Sequence, residues 1–235
     1  MLKKIVFAIA SLVLVLVNTI YAQSQLRFHI PVFPPYMFEK DGKISGTGVE
    51  LVEKILKEAG IQYEFKICSN YGKALTDLKN EECDGFFLAS QSAERDDVAV
   101  FSNMVVMNKW CWFYPADKPV NPKDTNFKAE ARVGTHLNSN THKWLQENGY
   151  HVTGAPSNID SILKMLKENR TNVVFLSEAV FLDTLGKVGE NPENYKSVLQ
   201  TEKPFGIYVS KQYVSKNPGV MEKINAAIVK VIPKK

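Results

Sequence analysis

Five segments in the first half of the chain alternate between the apolar spacing of a strand and that of a helix: 26–33, 49–59, 61–67, 74–78 and 85–89. In the strand segments the apolar residues alternate with polar ones or form a short uninterrupted run. In the helical segments they recur at the spacing of one helix face. The resulting order is strand, helix, strand, helix, strand, which is typical of a parallel sheet with helices on its faces.

The second half of the chain repeats this pattern with shorter segments. Further strands are predicted at 104–114, 132–135, 150–152, 173–176, 195–200 and 204–209. Further helices are predicted to begin near Asn138, after Ser157, at Ala179 and near Pro218.

Residues 115–126 are rich in Pro, Asp and Lys, and they predict a crossing between two lobes. The last strand and helix would return the chain to the first lobe, which makes two crossings. We therefore expect an α/β fold of two lobes, with parallel-rich sheets flanked by helices and a cleft between the lobes. The expected division assigns 23–112 and 204–235 to the first lobe and 113–203 to the second.

The N-terminus has the pattern of a cleavable secretory signal over residues 1–22. Lys3 and Lys4 precede an apolar core at 5–17, and Ala22 supplies a small residue at the expected cut. Without these two lysines the formal net charge falls from +4 to +2. A nearly neutral chain without a basic block argues against nucleic acid and anionic membranes as partners. We expect a soluble, exported protein without a lipid anchor.

The cysteines and histidines do not indicate a metal site. Three cysteines, at 68, 83 and 111, permit one disulfide, but their spacing does not choose the pair. Cys68 is expected to end one strand and Cys83 to begin another, whereas Cys111 lies in an apolar strand. His136 and His142 are six residues apart, which does not match the i,i+4 spacing of helical metal ligands. We predict no metal and no cofactor.

A polar cluster follows the last strand of the first unit. Ser90 and Ser92 offer hydroxyl groups there, and Arg95 adds a planar two-pronged donor that suits a carboxylate. Ligands of parallel sheets bind at the carboxyl ends of the strands, where this cluster falls. The alternative is a surface turn in which Arg95 pairs with Asp96 or Asp97.

Two further features lie at strand ends or helix starts. Phe33, Tyr36 and Phe38 surround two prolines that restrict the backbone, so that one ring could form a flat wall over a ligand. The alternative is that all three rings belong to the core, which suits Phe38 best. Ser139 or Asn140 could cap a helix and leave free N–H groups for an anion, although capping by itself needs no ligand.

Four motifs in sequence order resemble the solute-binding proteins of bacterial amino-acid-type ABC transporters, family 3, with the periplasmic type II fold: PPYMF, GKISGTGVELVEKIL, DGFFLASQSAERDDVAVFS and RVGTHLNSNT. The strongest match is Ser92-x-x-Arg95 followed by Val100-Phe101-Ser102, where the family typically shows T-P-E-R and V-D-F-S. The resemblance covers nearly all of the chain after residue 22.

The resemblance implies roles by position. Ser90, Ser92 and Arg95 match the residues that grip the ligand carboxylate from the first lobe, and Phe33 matches the aromatic ring that stacks on the ligand. Residues 138–140 lie where the family has Gly-Thr-Thr, whose backbone and hydroxyls complete the carboxylate site from the second lobe.

Two departures from the family pattern concern the ligand. Asn138 replaces the usual Gly ahead of Ser139 and Asn140, so the loop there is expected to differ in shape. Ser177 stands where amino-acid binders usually place an Asp that pairs with the ligand ammonium, and Glu178 is its neighbour. The residues therefore favour a small carboxylated or otherwise polar ligand over an α-amino acid specifically.

Three classes of function follow from the resemblance. The leading one is a monomeric periplasmic binding protein that closes on its ligand and delivers it to a membrane ABC permease. The second is a sensory or orphan binding protein that closes in the same way without a transporter. The third is an enzyme like the periplasmic cyclohexadienyl dehydratases, with Glu178 as general acid or base. No nucleophile–base pair or metal set supports the third class, and we expect no catalytic residues.

Overall fold

The computed structural model describes residues 25–233, so the predicted signal segment lies outside the described residues. The strands of this part are β1 Leu26–Pro31, β2 Phe38–Lys40, β3 Lys43–Ser45, β4 Tyr63–Cys68, β5 Gly85–Ser90, β6 Ala99–Phe101, β7 Val106–Pro115, β8 Val133–Gly134, β9 Val152–Gly154, β10 Val173–Ser177 and β11 Tyr195–Ser210. The α-helices are α1 Thr47–Glu58, α2 Tyr71–Lys79, α3 Ala93–Asp96, α4 Phe127–Glu130, α5 Asn140–Glu147, α6 Ile159–Lys167, α7 Glu178–Val188, α8 Lys211–Lys216 and α9 Val220–Val231.

Strands β1, β4 and β5 with helices α1 and α2 form the β-α-β-α-β unit that the apolar pattern predicts. β1 pairs in parallel with both β4 and β5, and every residue of β5 is buried. The hairpin β2–β3 was not predicted. It is closed by Asp41 and Gly42, whose φ angles of 52° and 71° are left-handed, as two-residue hairpin turns require.

Two long antiparallel strands, β7 and β11, join the halves of the molecule into one mixed sheet. The hydrogen-bonded order is β4-β1-β5-β11-β7-β10-β8-β9, with β6 on β11. The sequence predicted two strands within residues 195–209, but β11 is continuous. The polar residues 201–203 led to the prediction of a loop between two strands. In the structure they pair with residues 108–110 of β7, directly after a register shift between Leu199 and Thr201.

Three clusters of buried apolar side chains define two lobes. The first cluster gathers β1, β5, the end of β11 and helices α1, α2 and α9, and we call this part lobe 1. The other two clusters lie on opposite faces of β7 and β10, and we call this part lobe 2. Alternation along β7 explains the split, since Trp110 and Trp112 enter one cluster while Cys111 and Phe113 enter the other. The two-lobe α/β fold expected from the sequence is confirmed.

The crossing expected at residues 115–126 is wrong. Val120 in that segment packs against a lobe 2 cluster, and the Ala116 N–H donates to the Asn194 carbonyl oxygen at 2.8 Å. The chain instead crosses between lobes within β7 and β11. Proline and charged residues indicate a loop, but they do not say which elements the loop joins.

Candidate ligand-binding site

A small cavity lies between the lobes, at the carboxyl ends of β1 and β5. Its volume is about 30 Å³, which is room for about two water molecules. Fifteen residues line it: Phe33, Tyr71, Ala89, Ser90, Arg95, Asn108, Trp110, His136, Ser139, Asn140, Thr141, Leu176, Ser177, Val180 and Phe205. The cavity therefore brings together six of the nine residues that the sequence singles out.

Arg95 is the charged residue of this cavity, and it is only 5% exposed. One terminal nitrogen of its guanidinium donates to the Ser90 carbonyl oxygen at 2.6 Å. The guanidinium carbon lies 5.2 Å from the centre of the Tyr71 ring and 5.7 Å from that of Phe86. β5 ends at Ser90, and the short helix α3 then places Arg95 over the end of that strand.

No ion pair joins Arg95 to a carboxylate within residues 25–233. Asp96 instead accepts hydrogen bonds from the Tyr208 hydroxyl and the Gln91 amide, so the alternative of a surface turn is wrong. Burial lowers the pKa of Arg95 from its ordinary value, since the charged form loses solvation. A buried cation without a partner is costly, and an anion entering the cavity offsets that cost.

An aromatic wall faces Arg95 from lobe 1. The Phe33 ring stacks on Tyr36 with centres 5.8 Å apart, and it makes edge contact with Tyr71 at the same distance. The Phe205 ring centre lies 6.2 Å from that of Phe33 and 6.1 Å from that of Tyr36. Phe38, the ring most expected in the core, is only partly buried. Phe33 is thus the ring of the Pro-rich turn that lines the cavity.

The start of α5 faces Arg95 from lobe 2. Ser139 caps this helix, since its Oγ accepts from the His142 N–H at 3.1 Å and donates to the His136 carbonyl oxygen at 2.6 Å. The Asn140 amide nitrogen donates to Ser90 Oγ at 2.5 Å. This hydrogen bond joins the two lobes directly across the cavity.

Ser177 ends β10 at the lobe 2 side of the cavity. Its Oγ donates to Asn108 Oδ1 at 2.5 Å, and both residues are at least 96% buried. His136 lines the same region. Its Nε2 donates to the Ser157 carbonyl oxygen at 2.9 Å, and burial lowers the pKa of its ring. The imidazole is therefore neutral at pH 7 and adds no charge to the cavity.

Ser92 and Asn138 lie outside the inner cavity. Both line a larger polar groove that opens beside Arg95, together with Lys79, Glu94 and Lys143. In this groove Glu94 lies 3.2 Å from the Lys79 ammonium and 3.7 Å from that of Lys143. The hydrogen bond from Lys79 lowers the pKa of Glu94. Asn138 has a left-handed φ of 56°, a conformation that asparagine tolerates better than most residues.

Glu178 is the predicted site residue that the structure places apart from the others. Its carboxylate is 38% exposed and lies 3.8 Å from the Lys109 ammonium. The cavity lining includes its neighbour Ser177 but not Glu178.

Sequence reasoning missed seven of the lining residues that bear on the chemistry: Tyr71, Asn108, Trp110, His136, Thr141, Val180 and Phe205. Asn108 carried a visible signal, since it is a polar residue inside the long apolar strand β7. The others come from elements that meet only in the folded chain.

Other chemistry in the described residues is limited. The three thiols are free, and burial raises their pKa values to about 12 for Cys68 and about 11 for Cys83 and Cys111. Within residues 25–233, no three His, Cys, Asp or Glu side chains are grouped to hold a metal ion. In the same range no helix is both long and apolar enough to cross a lipid bilayer.

Three solved structures show how widely the fold is shared. A histidine kinase sensor domain with similarity to periplasmic binding proteins superposes with a TM-score of 0.75 and 17% identity, over 89% of this chain and 90% of its own. The GluR0 ligand-binding core from Nostoc punctiforme, in complex with L-glutamate, gives 0.72 and 19% over 88% and 92%. An arginine-bound mutant of ArgBP from T. maritima gives 0.71 and 18% over 91% and 99%.

No protein of curated function matches the chain significantly in sequence. Residues 28–234 match the sequence profile of the bacterial extracellular solute-binding proteins, family 3. The match covers nearly every described residue, including both lobes and the cavity between them. The chain belongs to family 3 of the bacterial extracellular solute-binding proteins.

Proposed function

We propose that this protein captures a small, carboxylate-bearing, amino-acid-like solute in the cavity between its lobes and that the lobes close on it. The observation that carries the proposal is the buried, unpaired guanidinium of Arg95. It retains donors that no group of the described chain accepts, and a carboxylate accepts two such donors side by side. The GluR0 and ArgBP structures hold glutamate and arginine, and both of these ligands carry a carboxylate.

Contacts that cross the cavity support closure. The Asn140–Ser90 hydrogen bond and the Lys143–Glu94 ion pair both join α5 of lobe 2 to lobe 1. Val180 of α7 packs with the lobe 1 cluster. These contacts are lost if the lobes part, and a ligand larger than the present cavity can enter only by parting them. Ligand contacts made from both lobes then favour the closed form.

The two interlobe strands are the natural hinge. The whole of β7 pairs with residues 195–205 of β11, so the lobes can bend about this ribbon without unfolding. The division into 23–112 with 204–235 and 113–203 stays a prediction. Packing of Trp110 and Trp112 in lobe 2 favours a first crossing ahead of Trp110.

Two destinations for the captured solute are proposed. In the first, the closed monomer in the periplasm presents its ligand to a membrane ABC permease, in keeping with its family and its predicted signal segment. In the second, closure signals to a receptor without transport, a role favoured by the similarity to a histidine kinase sensor domain. Both destinations use the same binding step.

The binding step is tested on purified protein by a thermal-shift screen against amino acids and small carboxylates. We expect a dose-dependent rise in melting temperature for the true ligand class, since a ligand that binds only the folded state stabilises it. Small-angle X-ray scattering with that ligand at saturation should show a smaller radius of gyration. Equal compactness with and without ligand contradicts hinge closure, and a screen without any shift contradicts carboxylate binding.

The same ligand separates binding from catalysis by Glu178. We expect Glu178→Gln to change the dissociation constant of that ligand, measured by calorimetry, by less than about twofold, because Glu178 does not line the cavity and makes no contact there to lose. NMR of the ligand incubated with wild-type protein should show no turnover. Turnover that disappears in Glu178→Gln would support the dehydratase-like alternative instead.

A further inference from the structure

We infer that the cavity selects a monocarboxylate whose remaining body is uncharged, and that it disfavours the ammonium of an α-amino acid. This inference rests on the proposed function and names the class of ligand for the same cavity. Three observations carry it: the charge of the lining, the pairing of Ser177, and an unused donor on Asn108.

The charge of the lining is the first observation. Among the fifteen lining residues, Arg95 is cationic, His136 is neutral, and none is Asp or Glu. Three carboxylates are adjacent in sequence to lining residues, and each has partners outside the lining. Glu94 pairs with Lys79 and Lys143. Asp96 accepts from Tyr208 and Gln91, and Glu178 pairs with Lys109. A single carboxylate on the ligand therefore neutralises the positive charge of Arg95 in the cavity. An ammonium brought in with it would be desolvated without an anionic partner, which is costly for a buried charge.

The position that ends β10 is the second observation. Ser177 offers no negative charge, and its hydroxyl proton is used by Asn108 Oδ1 at 2.5 Å. Ser177 is 4% exposed and Asn108 is 2% exposed. The pair is thus a neutral, internally hydrogen-bonded part of the cavity wall.

The Asn108 amide nitrogen is the third observation. Its Oδ1 is used by Ser177, while its Nδ2 makes no hydrogen bond to any described residue. Because Asn108 lines the cavity, a ligand group that accepts a hydrogen bond can pair with this donor. A keto, ether or hydroxyl oxygen accepts from this donor, whereas an ammonium cannot.

The test compares acids that share a carbon skeleton and differ in one group. The panel contains propionate, lactate, pyruvate and L-alanine, the corresponding phenyl series from 3-phenylpropionate to L-phenylalanine, and trimethylglycine. Binding is measured by calorimetry and thermal shift. We expect the tightest ligand to lack an ammonium and to bind at least about tenfold more tightly than the α-amino acid of its skeleton, a difference of about 1.4 kcal/mol.

Installing a carboxylate provides the second arm. Ser177→Asp is expected to shift the preference toward the α-amino acid by at least about tenfold. The matched control is Ser197→Asp, which places the same new charge on an exposed residue of β11 and should leave the wild-type preference unchanged. If Ser177→Asp does not fold, the affinities of wild-type protein for the panel test the inference without it.

The outcomes distinguish this inference from the function beneath it. An α-amino acid or trimethylglycine that binds wild-type protein as tightly as the acids without a cationic nitrogen overturns the inference and leaves carboxylate capture intact. If no compound of the panel binds wild-type protein, both the inference and the proposed carboxylate capture are wrong. A preference for the acids without a cationic nitrogen that Ser177→Asp reverses supports both the inference and carboxylate capture.

Discussion

Arg95→Ala is expected to weaken binding of the captured carboxylate by about 100-fold or more, since losing a buried, charge-assisted contact costs about 3 kcal/mol or more. The physical reason is that Arg95 supplies the positive charge of the cavity and is 5% exposed. Folding should survive, because within residues 25–233 no carboxylate is paired with Arg95 and none would lose its partner in this variant. Calorimetric titration and thermal melting of the same preparation measure the two effects separately.

The control for this variant is Arg170→Ala. Arg170 pairs with Glu168 at 3.0 Å, and its side chain is 67% exposed, so its removal changes the net charge equally without touching the cavity. We expect wild-type affinity for that control. An Arg95→Ala protein that binds normally, or one that unfolds while Arg95→Met binds normally, contradicts the assigned role.

Trp112→Ala is expected to lower the free energy of unfolding by about 3–5 kcal/mol, the usual cost of deleting a large core side chain. Trp112 is fully buried in lobe 2. Its ring centre lies 4.3 Å from that of Phe175 and 5.1 Å from those of Phe127 and Tyr150. The indole N–H also donates to Gln200 Oε1 at 2.8 Å, which ties β7 to β11. Urea unfolding followed by circular dichroism measures the loss.

Trp112→Phe is the graded comparison, because it retains an aromatic ring and leaves a smaller cavity. It should cost less than Trp112→Ala. Trp144→Ala removes a partly exposed tryptophan from the same cluster and should also cost less. A Trp112→Ala protein destabilised by under about 1 kcal/mol would show that this cluster does not hold lobe 2 together.

The fold was largely predictable because its elements are short and locally encoded. The apolar periods locate β1, α1, β4, α2 and β5 in order, and the match of family motifs extends the prediction to the second lobe. The errors arose where the local sequence pattern predicts one conformation and the neighbouring strand in the sheet imposes another. Residues 201–203 are polar and look like a turn, yet pairing with β7 keeps them extended.

The site was predictable in part for a similar reason. Ser90 and Arg95 follow a buried strand, so the end of a parallel strand could be expected to present them to a ligand. Glu178 was grouped with Ser177 because the two are neighbours. The strand-to-helix junction sends Ser177 into the cavity and leaves Glu178 beside Lys109, a difference in direction that adjacency in sequence does not contain.

The sequence by itself determined the order of strands and helices, the two-lobe class and the cation that faces the ligand. These depend on apolar spacing and on residues within a few positions of each other. The tertiary structure alone decided that Asn108, His136 and Phe205 share a cavity with Arg95, and that this cavity holds no carboxylate. The physical reason is geometric, because β7 and β11 extend through both lobes and bring residues more than a hundred positions apart to one cleft. The side chains that point into this cleft then set its charge.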